Sequence, residues 1–220
     1  MKDLTVVKLG GSHALSGALP GWLASIEAGA GKAILVVGGG PFADAVRAAQ
    51  PLMRFDDRAA DAMALLAMEQ YAIAISALGR LFTVAESRTA ILEAIGLGRV
   101  PIWAPSRMVR RARDRAAPIA ASWDVTSDSL SAWLAGSLGA RRLFLIKRAE
   151  VQGDEIAAAK LAKTGIVDAA FPRFLAASGA EGFLIGQAEQ AELARALRRG
   201  APIGKPIGLV AADAAIHHAG

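Results

Sequence analysis

Lys8 stands inside the apolar run Val6-Val7-Lys8-Leu9, directly ahead of Gly10-Gly11-Ser12. An ammonium in a strand buried on both faces requires an anionic partner, because burying an unpaired charge is costly. A second apolar run, Ile34-Leu35-Val36-Val37, passes into Gly38-Gly39-Gly40-Pro41. Glycine turns after strands let backbone amides approach an anion, and a following helix N-terminus adds partial positive charge. Lys147 closes a third apolar run, Leu143-Phe144-Leu145-Ile146, and repeats the pattern of Lys8. Asp128 lies in Ser122-Trp123-Asp124-Val125-Thr126-Ser127-Asp128-Ser129, where Asp124 and Asp128 sit four residues apart among hydroxyls. Two lysines and an aspartate at element ends make a charge-balanced clamp for phosphoryl transfer, which needs positioning and electrostatics more than covalent help.

Plainer readings stand beside this one. Lys8 as an ordinary strand-end lysine would snorkel to water, and Asp128 would be a helix N-terminal acid. Residues Gly38 to Ala43 also fit the dinucleotide pattern G-x-G-x-x-A. That pattern requires an acid at the end of the next strand, whereas Asp56, Asp57 and Asp61 fall at a helix start. Gly31-Lys32 is followed by Ala33, so no P-loop motif is present. His13 either meets a phosphate beside the first glycine turn or does not; His217 and His218 in the tail are expected to be inert.

The elements that must position these residues alternate between strand and helix. Strands are expected at 4–9, 33–37, 81–84, 100–103, 143–146 and 182–185. Helices are expected from Leu19 to about residue 28, over 42–49, 57–78 and 86–95, from Ser129 to Gly139, and over 167–177 and 188–199. Pro41 suits a helix start, and Gln50 to Phe55 reads as a linker. The helix from Asp57 is apolar all round between Ala62 and Met68, which predicts neighbours on several sides and a homodimer or higher oligomer. The arginine-rich segment 107–115 is either a mobile phosphate-facing loop or a solvated helix. This alternation predicts an α/β fold, a three-layer sandwich with a mainly parallel sheet, whose ligands lie beyond the carboxyl ends of strands.

Composition narrows the classes. The 220 residues are 54% apolar without a composition break, so a single domain spanning 1–220 is expected. Absence of cysteine excludes a disulfide framework, thiolate catalysis and cysteine metal sites. Glycine and proline interrupt the longest uncharged run, Leu9 to Ile26, so no membrane span is expected. Strand-like sequence begins by Leu4, leaving no room for a signal peptide; a cytoplasmic location is the expectation. The formal charge of +5 is spread along the chain without basic–aromatic interleaving, which favours steering of small anions over nucleic-acid binding.

Lys8-Leu9-Gly10-Gly11-Ser12, Val37-Gly38-Gly39-Gly40 and the Thr126-Ser127-Asp128-Ser129 helix start together resemble the amino acid kinase family, in order and spacing, from Val6 to about Ile207. Within it the chain is most similar to the short branch that phosphorylates an aminomethylfuran phosphate in methanofuran-type cofactor synthesis. That likeness rests on residues 122–129, supported by 64–71 and the compact stretch from Val167 to Gly186.

The resemblance implies ATP beside the C-terminal half and a small phosphorylated acceptor beside the N-terminal half, with Mg²⁺ accompanying the nucleotide and no protein metal site. It implies that Lys8 bridges donor and acceptor phosphates, that Gly10, Gly11 and Ser12 hold the transferring group, and that Asp128 orients the lysines. Gly38, Gly39 and Gly40 would receive the acceptor's phosphate or carboxylate, with Thr126, Ser127 and Asp124 beside it. Where the family often has Thr-Asp-x-x-Gly, this chain reads Lys147-Arg148-Ala149-Glu150-Val151-Gln152-Gly153. This is similar to the lysine-containing version of uridylate kinases, which implies that Lys147 reaches nucleotide phosphates, with Arg148 and Gly153 alongside. For Arg148 the plainer reading, a solvent-facing arginine, is preferred. Asp61 falls where uridylate kinases place an acid near the acceptor. It is either an acceptor contact, able to pair with an aminomethyl group, or an exposed acid in a first helical turn.

Overall fold

The computed structural model describes residues 3–117, 119–149, 151, 153 and 156–209. His217 and His218, and Glu150 and Gln152 of the loop after Lys147, lie outside the described residues. Strand β1 (Thr5–Leu9) is buried at every position and lies between β2 (Ala33–Val37) and β5 (Arg142–Ile146), parallel to both. Strands β3 (Phe82–Ala85) and β4 (Val100–Trp103) extend the sheet beyond β2. On the other side follow β7 (Glu181–Ile185), β8 (Lys205–Gly208) and the two-residue β6 (Ile156–Ala157). Among the described residues eight strands run in the order β3-β4-β2-β1-β5-β7-β8-β6, and of their pairs only β7–β8 is antiparallel.

Continuous apolar strands such as Ala-Ile-Leu-Val-Val need cover on both faces, because successive side chains point to opposite sides. One face carries Val7, Leu9, Leu35, Val37, Phe144 and Ile146 against α1 (Leu19–Glu27) and α9 (Gln190–Arg199). The other carries Val6, Ile34, Val36, Leu143 and Leu145 against α6 (Ser127–Leu138), with α8 (Phe171–Ser178) outside it. Two residues beyond Val6, Lys8 follows the same alternation and faces the α6 side. The three-layer sandwich expected from the alternation is therefore present, and it points the lysine at the N-terminal end of α6.

Several boundaries differ from the sequence reading. Gln50 to Phe55 is no linker: α2 runs Gly40–Met53, with Pro51 in its last turn and Arg54 in the left-handed conformation as its cap. A proline near a helix end disrupts few hydrogen bonds, and Ala43 and Val46 hold α2 against α3 (Asp57–Ser76). The arginine-rich segment is the helix α5 (Ser106–Asp114), anchored by buried Val109. The helices expected at 86 and 167 start later, as α4 (Arg88–Gly96) and α8, because Ser87 caps α4 and Asp168 caps a neighbouring helix. β6, β8 and the short α7 (Ala158–Lys163) had no sequence expectation. The outer side of α3 leaves Leu66 50% and Ile73 61% exposed, while Leu65, Met68, Tyr71 and Ile75 face the core.

Candidate active site

Lys8 is only 3% exposed, and its ammonium lies 2.8 Å from Asp128 Oδ1. Lys147, the first residue past β5, donates from Nζ to Asp128 Oδ2 at 2.8 Å. β1 and β5 are adjacent, so their ends bring the two lysines to one carboxylate. Burial alone would push the Asp128 carboxyl up; the ammonium groups of Lys8 and Lys147 outweigh it and hold the carboxyl below its ordinary value. Burial, and next the Lys8 charge, lowers Lys147 to about 8, against the opposing pull of Asp128. Two cations share one anion here, and the unit keeps a net positive charge ready for a phosphate.

Asp128 is held in place from outside its own helix. Asp168 Oδ2 accepts from the Thr126 amide at 2.9 Å, the Thr126 hydroxyl at 2.9 Å and the Ser129 amide at 3.0 Å. Its Oδ1 accepts from the Ser129 hydroxyl. Thr126 occupies the N-cap of α6 without a side-chain capping bond, and Asp168 supplies the missing acceptor. Sequence reasoning missed Asp168, because it acts on residues about forty positions away and no local spacing announces it.

The two glycine turns interlock above this clamp. A Cβ on Gly11 would sit 2.6 Å from Gly40 N, and one on Gly38 would sit 2.7 Å from Gly11 N. Only glycine permits so close a backbone approach. Above them opens a cavity of about 430 Å³. Lys8, Gly11, Ser12, Asp128 and Lys147 line it, as do Gly38, Gly39, Gly40, Asp61, Thr126 and Ser127. Gly10, Asp124, Arg148 and Gly153 do not. The Gly10 amide bonds to Ile146 O at 3.2 Å and ties the turn to β5. Asp124 is exposed and uses its carbonyl on the Ala170 amide. Arg148 and Gly153 are exposed in the loop beyond Lys147.

Asp61 is neither exposed nor unpaired. It is buried, and Arg113 of α5 grips both its oxygens, at 2.6 and 2.8 Å. The same guanidinium donates to Ile119 O and Ala120 O, clasping the loop ahead of Trp123 to α3. Trp123 lines the cavity with Ala64, Leu65 and Met68. Its indole nitrogen donates to Gln50 Oε1 at 2.8 Å, and the Arg47 guanidinium lies 4.4 Å from the ring centroid. Sequence reasoning misses this wall too, because Gln50 reads there as part of a linker. His13 turns inward, buried edge-on to Trp22, with its pKa lowered to about 4 by burial, then Arg148, Lys8 and Lys147. It is neutral and does not line the cavity.

The family model for amino acid kinases matches residues 3–150 of the 220. The chain belongs to the amino acid kinase family. It is a kinase. Among solved structures, the chain is similar to a uridylate kinase from Archaeoglobus fulgidus, at 18% identity and TM-score 0.69, over 94% of this chain and 100% of that one. A UMP kinase from Bacillus anthracis matches at 15% identity and TM-score 0.66, over 95% and 97% of the two chains. An isopentenyl phosphate kinase matches at 16% identity and TM-score 0.58, over 93% and 100%. These likenesses bear on the fold. The comparison with curated protein sequences gave no match. No helix of the described residues is long and apolar enough to cross a membrane.

Proposed function

We propose that this kinase transfers the γ-phosphoryl group of ATP to a small acceptor that already carries a phosphate. The buried Lys8–Asp128–Lys147 unit beneath two interlocked glycine turns carries this reading. A phosphate monoester has its second pKa near about 6, so at neutral pH the attacking oxygen needs no general base. What it needs is cancellation of repulsion between two anions. Lys8, Gly11 and Ser12 would bridge the phosphates, Gly38 to Gly40 would receive the acceptor's anion, and Lys147 would hold the donor's.

A second hollow of about 340 Å³, lined by Ala149, Val151, Leu184, Gly186 and Lys205, lies on the C-terminal half and suits the ATP base. No group of three or more His, Asp or Glu placed to hold a metal occurs among the described residues. A Mg²⁺ ion would be carried mainly by nucleotide phosphates and water. The ion would supply neutralisation of phosphate charge, while the lysines position the oxygens.

For the acceptor we favour (5-(aminomethyl)furan-3-yl)methyl phosphate, on the resemblance of residues 122–129. The cavity supports it with an apolar wall for a small ring; the two carboxylates on its lining, Asp44 and Asp61, are paired with Arg47 and Arg113, which an acceptor ammonium would have to displace. Uridylate, isopentenyl phosphate and amino-acid carboxylates are the alternatives. A coupled ADP-release assay across these acceptors should give its highest kcat/KM with the aminomethylfuran phosphate. Preference for another acceptor would replace this assignment, and absence of ADP release with all of them would move the reading to nucleotide or oxyanion binding without turnover.

Lys147 gives the pH dependence. Its protonated form binds phosphate; with its pKa lowered to about 8, that form is present below this pH and lost above it. The kcat/KM should therefore fall as pH rises through about 8, whereas kcat should fall at higher pH, because bound phosphates favour the ammonium. Lys147→Arg should abolish the alkaline limb. A limb unchanged in Lys147→Arg would assign it elsewhere.

The exposed stripe of Met63, Leu66 and Ile73 on α3 supports a homodimer through this helix. Light scattering should give twice the chain mass, falling to one chain mass in Leu66→Arg/Ile73→Arg. A wild-type monomer would exclude the dimer.

A further inference from the structure

On the far side of Asp61 from the acceptor cavity lies another hollow, of about 330 Å³. Arg58, Asp61 and Leu66 of α3 form one wall, and Ser106, Arg110 and Arg113 of α5 form the other. Asp114 is the second carboxylate on its lining, so three guanidinium groups meet two acids. Asp61 is already taken by Arg113. Arg110 spends only its Nε, on Ser106 O at 3.3 Å, and Arg58 has no partner among the described residues. Exposed Arg111 and Arg115, likewise without an ion pair among them, strengthen the positive field.

Ser106 is the second observation. It is 6% exposed, lines this hollow, and its hydroxyl finds no hydrogen-bond partner in the protein. Buried hydroxyls without partners are uncommon, and one beside unsatisfied guanidinium groups points to an acceptor from outside the chain. Its own amide is not available for that purpose, since Glu69 Oε1 caps it at 2.9 Å. Guanidinium forks and a hydroxyl donor together match the oxygens of a phosphate ester or diphosphate.

We propose that this hollow is a second anion site, taking a small polyvalent anion of the phosphate-ester or diphosphate class between Arg58, Arg110 and Ser106, and that the anion competes with Asp61 for Arg113. Asp61 lines both this hollow and the acceptor cavity, so the contest couples the two. An anion that draws Arg113 away leaves the Asp61 carboxylate unopposed toward the acceptor. By linkage, whatever acceptor group engages Asp61 favours the anion in return. Anion binding stands apart from the kinase reading; only its consequence for the acceptor rests on it.

The test is calorimetric titration of pyrophosphate without metal, in a Lys8→Ala background that weakens the competing anion site at the clamp. Pyrophosphate should bind this variant, and adding Arg58→Gln and Arg110→Gln should weaken binding at least about tenfold. Adding Asp61→Asn instead should tighten it about fivefold or more, because Arg113 is released. Both arginines are exposed, so Arg58→Gln/Arg110→Gln in the wild-type background should melt and turn over normally. No binding to Lys8→Ala, or binding indifferent to the arginines, would overturn the site. An unchanged affinity in Asp61→Asn would overturn the coupling, and lost basal turnover in Arg58→Gln/Arg110→Gln would return these arginines to the reaction itself. None of the binding readouts needs activity, so failure of the kinase reading would leave them interpretable.

Discussion

Asp128→Asn is expected to lower kcat about 10²–10³-fold, the usual effect of removing a preorganised electrostatic element, while leaving a folded protein. The carboxylate is the single anion between Lys8 and Lys147, each 2.8 Å from one of its oxygens. Asparagine keeps the shape and removes the charge. Lys147, already lowered to about 8, then loses the one influence that favours its ammonium form besides substrate. It should shed its proton near neutral pH, leaving the donor phosphates without their cation and Lys8 without its brace. The variant should regain part of its rate as pH is lowered, because protonation of Lys147 returns, and its optimum should move to the acid side. Removing one partner of a buried ion pair costs roughly 3–5 kcal/mol. The cost should lie at the lower end here, since deprotonating Lys147 relieves the repulsion. Thermal melting followed by circular dichroism separates lost stability from lost rate. Wild-type kcat in a folded Asp128→Asn protein would remove this carboxylate from the mechanism.

The centre of the fold was legible because its residues violate a local expectation. A lysine inside Val6-Val7-Lys8-Leu9 signals a partner, and strands apolar at every position signal a sheet covered on both sides. The interactions that finish the site leave no such trace. Asp168 lies outside the helix that it caps, and Arg113 reaches Asp61 across 52 positions. Gln50 falls in the stretch that reads as a linker, yet helix α2 carries it to the Trp123 indole. β6 is two residues long and pairs with β8, so neither its length nor its pattern could announce it. Spacing reports what a residue does to its own element; it is silent where a side chain stabilises an element from a distance.

Gly38→Ala should damage both stability and turnover. Its Cβ would lie 2.7 Å from Gly11 N and 3.2 Å from Gly11 Cα, against backbone rather than a movable side-chain tip. Neither turn has room to retreat. The Gly38 amide is bonded to Leu9 O at 3.0 Å, and the Gly10 amide to Ile146 O at 3.2 Å, so both turns are tied to the ends of β1 and β5. Separating them must move the glycine amides relative to Lys8 and Asp128. Overpacking of this kind costs typically about 1–3 kcal/mol, and a shift of about 1 Å in positioning groups costs about 100-fold in rate. Both effects are expected together: a lower melting temperature, and kcat/KM for the acceptor reduced about 100-fold. Gly17→Ala provides the control, because a Cβ there meets nothing within 4 Å and its backbone is not in the left-handed region. It should melt and turn over like the wild type. Gly10→Ala should fall between the two, since its Cβ meets only Ile146 O, at 3.2 Å, before reaching looser neighbours. If Gly38→Ala binds acceptor and turns over like Gly17→Ala, the two turns do not act as one cradle, and Gly38 to Gly40 would have to be released from the acceptor's anion.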